Sequence, residues 1–236
     1  TNIVLLSGSQ SFDEIVRSIA EILIADKRTL QNPRDQSVPE NISRQIAEVQ
    51  AAQKDVASRG LPISPQALYQ LGMLAAYDRK YEEALDYFRQ ATDVDDDYAD
   101  AYEAIAWLQQ ARAHDNLYLK SDPKSAVARL KEARKAAMHT DPLDVNALSL
   151  RGYIAGTLYQ ATKHADQSRS EKYNAEAADI FTQAVRLDPS NPSALKGLAT
   201  AKHEMGDLDA AISLYLKTIE LAPEYVSAHH DLAIAY

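Results

Sequence analysis

Five aspartates, Asp93, Asp95, Asp96, Asp97 and Asp100, fall within eight positions of the segment QATDVDDDYADAY. Carboxylates so crowded either ligate a hard cation or turn and cap the backbone between two helices. The D-x-D-x-D spacing of Asp93, Asp95 and Asp97 is how a calcium loop begins. Such a loop then needs glycine at its sixth place and a bidentate glutamate at its twelfth. Tyr98 and Ala104 stand there, so the run reads as a joint, with a new helix starting near Tyr98.

The remaining groups with chemical potential do not assemble into a motif. His229 and His230 are adjacent and point to different faces of a helix, His203 is 26 residues away, and no HExxH spacing occurs. The absence of cysteine removes thiolate metal sites, disulfide scaffolds and cysteine nucleophiles together. SGS at residues 7–9 has neither the glycine pattern nor the lysine of a phosphate loop, and there is no GxSxG elbow. Glu82 and Glu83 lack a pocket to drive their pKa values apart. The segment is expected to be non-enzymatic, with no catalytic residues, no metal site and no cofactor.

The elements that position these residues repeat along the chain. In NPSALKGLATAKHEMGDLDAAISLYLKTIELAPEY, residues 191–225, Leu195, Leu198, Ala199, Gly206, Leu208, Ala211, Tyr215 and Pro223 hold fixed offsets. A second copy at 65–97 carries Leu68, Leu71, Gly72, Ala84, Phe88 and Ala91 in the same register, with Asp96 at the closing proline's place. Small residues admit a close helix pair and large ones fill the space between. This pattern resembles the tetratricopeptide repeat, a helical hairpin of about 34 residues.

Two further copies are irregular. One opens with Tyr102, Ile105 and Ala106 and closes at Pro142; the next runs through Leu148, Gly152, Ala177, Phe181 and Ala184 to Pro189. Closing positions 96, 142, 189 and 223 are 46, 47 and 34 residues apart, so the middle units carry 12 and 13 extra residues. Asp122 with Pro123 is a helix start, and Ser168 with Glu171 has capping-box spacing. These place the inserts AHDNLYLKS and ATKHADQS between the first and second helices of their units, adjacent on one edge, with the first helices lengthened. Arg134 stands where the repeat expects an aromatic.

The resemblance implies an all-α fold: a tetratricopeptide-repeat right-handed superhelix, or α-solenoid, over 65–236, in units of about 65–98, 99–144, 145–191, 192–225 and a partial 226–236. Residues 1–60 are expected to be an N-terminal segment with a helical hairpin, either a cap on the array or a degenerate repeat. Its helices at 12–29 and 41–58 carry Ile15, Ile19, Ile22 and Leu23, then Ile42, Ile46, Val49 and Val56, on their apolar faces. A lone first helix such as YVSAHHDLAIAY cannot bury its apolar face, which predicts further chain beyond Tyr236.

Composition narrows the partners. Apolar residues at 46% and charged residues at 25% describe an ordered globular chain. A net charge of -9 repels nucleic acid, and NIVLL is far too short to span a bilayer. The expectation is therefore a protein or peptide ligand, with no nucleic acid, no membrane insertion, and self-association through array ends as a further possibility.

The family's concave face, lined by first helices, maps onto Gln66, Tyr69, Met73 and Tyr77, then Asp100, Glu103, Trp107 and Gln110. It continues through Asn146, Ser149 and Tyr153 to Ser193, Lys196, Thr200 and His203. Met73, Trp107 and Tyr153 share one position in three successive units, and serve either as interface anchors or as packing beneath the lengthened helices and inserts. Co-chaperones similar to this family hold a C-terminal carboxylate with lysine, asparagine and arginine; Tyr69, Met73, Ala104, Asn146 and Leu150 stand at those places, so that clamp is absent from these units. The resemblance implies a protein-interaction scaffold binding a peptide or helix in this groove. The alternative is the recognition or regulatory domain of a larger enzyme or signalling protein.

Overall fold

A computed structural model describes residues 63–236. They fall into two compact units, one ending at Leu108 and the other spanning Gln109–Tyr236. The hairpin expected at 12–29 and 41–58 lies outside the described residues, which form helices joined by short turns and contain no strand.

Helix α1 covers Pro65–Tyr77 and α2 Tyr81–Val94. Helix α3, Ala99–Tyr118, runs across the boundary between the two units, and α4 follows at Pro123–Ala137. The second unit continues with α5, Val145–Thr162, α6, Gln167–Leu187, α7, Pro192–Glu204, α8, Leu208–Leu221, and α9, Val226–Ala235.

Three first helices, α1, α5 and α7, begin at side-chain caps that satisfy amides the helix itself leaves unpaired. Ser64 accepts from the Ala67 amide, Asp144 from Ala147 and Asn191 from Ala194. Prolines at the start of α1 and α7 lose no hydrogen bond there. Asp122 caps α4 by accepting from the Ser125 amide at 3.1 Å, as its sequence predicts.

The aspartate run is a joint. The Asp95 carboxylate accepts from the Asp97 amide at 3.1 Å as α2 ends, and α3 begins at Ala99. Asp141 does the same with the Leu143 amide at 2.8 Å, and Asp188 with the Ser190 amide at 3.0 Å. Three successive repeats thus turn on one side-chain-to-backbone device. Hydrogen bonds from Ser190 lower the pKa of the Asp188 carboxyl from its usual value.

Helix pairs close around an aromatic on the second helix, and two of these aromatics, Phe88 and Phe181, are set against glycines. A Cβ built on Gly72 would lie 2.4 Å from the Phe88 ring, and one on Gly197 2.2 Å from Phe181. Phe181 also covers Gly152, where a Cβ would come within 2.7 Å. Ala155, Ala177, Ala178, Leu198 and Ala201 complete its buried surroundings. Tyr215 fills the corresponding place in α8 and is fully buried, its hydroxyl donating to Thr200 Oγ1 at 3.2 Å.

The first helices of the two irregular units are long, α3 at 20 residues and α5 at 18 against 13 for α1 and α7, and the second helix α6, at 21 residues, is long as well. Helix α6 starts at Gln167 rather than at the Ser168 to Glu171 box. Asp166 accepts from the Arg169 amide at 3.0 Å, and a carboxylate one residue before the first turn takes the capping role. Glu171 instead accepts from the Gln167 amide side chain at 2.9 Å, one turn along the helix.

Candidate functional site

In the second unit the expected groove positions Gln110, Tyr153, Lys196 and Thr200 line a single cleft of about 310 Å³. Its walls are the later part of α3 and helices α5, α6 and α7. The lengthened helices build much of it: His114 and Tyr118 come from the first insert, and Tyr159 and Gln160 from the end of α5. Asn146 and His203 do not line it.

Tyr153 supports the floor. Its ring meets Phe181 edge-on at 5.1 Å, and its hydroxyl donates to the Ser193 carbonyl at 3.0 Å, tying α5 to the start of α7. Burial, reinforced by Tyr225, raises its phenol far above the ordinary range. Tyr153 therefore packs against the neighbouring helices and contributes surface to the cleft at once.

Charge in the cleft is paired internally. Lys196 Nζ sits 3.0 Å from the Asp231 carboxylate on α9. Glu204, at the end of α7, accepts from the Tyr159 hydroxyl and the Gln160 amide, both at 2.7 Å. Burial first, and then the hydrogen bond to Glu204, pushes Tyr159 up to about 12. Burial and the same carboxylate raise Tyr118. A carboxylate that accepts two bonds retains further acceptor sites. The arrangement offers an apolar floor, phenolic and amide hydrogen-bonding groups, and no strong net field.

In the first unit Tyr69 stands between Phe88, 5.7 Å away, and Tyr98, 5.8 Å away and edge-on. Burial, then Asp100, Tyr98 and Glu103, push its phenol up to about 12, which marks these groups as neighbours. Trp107 Nε1 donates to Glu103 Oε1 at 3.4 Å, one turn back along α3. Met73 is buried at 7% exposure and Tyr77 is half-buried. Tyr69, Asp100, Glu103 and Trp107 are thus coupled, while Met73 belongs to the core.

The sequence reading missed His114, Tyr118, Tyr159, Gln160, Asn174 and Glu204. Their signal was weak: His114 and Tyr118 are one helical turn apart, with rings 4.4 Å apart, inside what reads as a polar insert. His229 bonds the Pro223 carbonyl at 2.8 Å and His230 the Asp231 carboxylate at 3.2 Å. Among the described residues no three His, Asp or Glu side chains are placed to hold a metal, and no helix is long and apolar enough to cross a membrane.

Comparison with known proteins gives the class. Models of the tetratricopeptide repeat match residues 65–98 and 169–235. The chain is similar to a thermophilic TPR protein of Thermus thermophilus, at 19% identity and a TM-score of 0.54, covering 95% of this chain and 98% of that one. It is similar to YrrB, a TPR protein with an unusual peptide-binding site, at 16% identity and 0.52, covering 95% and 98%. PilF of Pseudomonas aeruginosa aligns at 17% identity and 0.52, covering 93% and 82%. No curated protein matches the chain.

Residues 65–98 and 169–235 are tetratricopeptide repeats, and the described residues form an all-α fold of the α-solenoid class. Such repeats act as protein-interaction scaffolds and are generally not catalytic.

Proposed function

We propose that the chain binds a peptide or a partner helix on the first helices of its second unit, with the cleft between α3, α5 and α7 as the subsite. The observation that supports this is the convergence of Tyr118, Tyr159, Gln110, Gln160 and Asn174 on one apolar-floored depression. Aromatic rings bury large area at low entropic cost, and side-chain amides both donate to and accept from an extended backbone.

The clean test avoids Tyr153, whose loss would disturb packing. Wild type and Tyr118→Ala are screened against a peptide array, and hits are measured by fluorescence anisotropy. Tyr118 is 54% exposed, so the variant should keep its melting temperature. Binding weakened by about 1–2 kcal/mol supports the cleft. Equal binding to both proteins removes it from consideration.

A further inference from the structure

The second-helix side of the same unit holds a separate feature. In the repeat frame the positions of Phe88, Phe181 and Tyr215 correspond to Arg134, and those of Leu71, Ile105, Leu198 and Leu232 to Arg151. Two arginines therefore replace an aromatic and a large aliphatic residue on the consecutive helices α4 and α5, in a stretch that neither repeat match covers.

The exchange redirects both side chains to polar partners. Arg151 Nε donates to the Ala137 carbonyl at 2.9 Å, and its other end reaches the Thr140 carbonyl at 2.6 Å, capping the end of α4. Arg134 turns outward to Glu176 on α6 at 2.8 Å, with its side chain 48% exposed. Between them lies a groove of about 300 Å³ whose floor is the buried Ala137, Ile154 and Ala155 and whose rim is Met138, Ile180 and the Glu176 carboxylate that pairs with Arg134. Met138, at its rim, is 77% exposed.

Charge concentrates on the same helix. Helix α4 carries Lys124, Arg129, Lys131, Arg134 and Lys135 against Glu132 alone, in a chain of net charge -9. Lys131, Arg134, Lys135 and Met138 recur at three- and four-residue steps, and all are exposed. The acids flanking the helix, Asp122, Asp141 and Asp144, are engaged with backbone amides.

We propose that α4 and its groove dock an acidic peptide segment of a partner protein. An apolar side chain of that segment seats on Ile180 beside Met138, and its carboxylates face Arg134, Lys131 and Lys135. A basic stripe alone would suit any polyanion; the apolar groove beside it selects a peptide with hydrophobic anchors. This site is independent of the cleft on the first helices.

The test uses the whole chain and a fluorescein-labelled peptide alternating glutamate and leucine. Controls are the same peptide with lysine for glutamate, and a single-stranded oligonucleotide. The expected result is binding of the glutamate peptide that weakens with salt, falls roughly tenfold in Lys131→Glu, Lys135→Glu, and survives Tyr118→Ala. Arg134→Glu should give the same loss, and circular dichroism confirms that each variant is folded. Binding unchanged by both charge reversals, equal binding of the lysine peptide, or tighter binding of the oligonucleotide would overturn the proposal. So would a labelled peptide that fails to bind at all.

Discussion

Positions 181 and 134 are equivalent in the repeat and opposite in character. Phe181 is buried between two glycines on neighbouring first helices and closes its layer. Arg134 faces water, and at the position equivalent to Gly197 the helix α5 carries Leu150, fully buried. Bulk that the regular unit places on its second helix is here carried by the following first helix. The frame is thus tolerant of which helix supplies volume, and the exchange opens a charged groove where a regular unit is closed.

The largest effect should come from the closed side. Phe181→Ala should cost about 3–5 kcal/mol in denaturant unfolding, as an aromatic lost from a full core. Gly197→Ala should cost about 1–3 kcal/mol, because its methyl meets the Phe181 ring. Arg134→Ala should cost no more than about 1 kcal/mol, since its ion pair is half exposed to solvent. If Arg134→Ala destabilised as much as Phe181→Ala, the contrast between the two positions would collapse.

A smaller contrast lies in the turns. Arg79 and Gly206 are equivalent, and both adopt left-handed backbone, φ 61° and 81°. Arg79→Gly should raise stability by up to about 1 kcal/mol and Gly206→Ala should lower it by a similar amount, read from thermal melts. The smallest effect is in the pH profile. Tyr159 has a folded pKa of about 12 against an ordinary 10.0, so its contribution is complete below pH 10 and is lost as pH rises toward 12. Tyr159→Phe should flatten that alkaline loss, followed by melting temperature against pH.

The sequence carried the fold well because the pattern is periodic. Gly72, Phe88, Gly152, Phe181 and Tyr215 each announce a close helix pair, and Asp95 announces a turn. The site was less legible. Tyr153 could be placed on the groove side from its register, but its hydrogen bond to Ser193 depends on how α7 begins. Tyr118 enters the cleft because the first insert continues α3, and Glu204 joins it through a contact between the ends of α5 and α7 that no motif in the sequence marks. Asp166 was overlooked because Ser168 with Glu171 imitates a helix start two residues later.

Phe181 bears finally on cooperativity. In a stacked array, stability divides into the energy within each repeat and the coupling between neighbours. One ring that covers Gly152 in its own unit and Gly197 in the next contributes to both quantities at once. Truncating it should therefore do more than lower a midpoint: amides of α5 and α7, protected together from hydrogen exchange in the native chain, should begin to exchange as separate blocks.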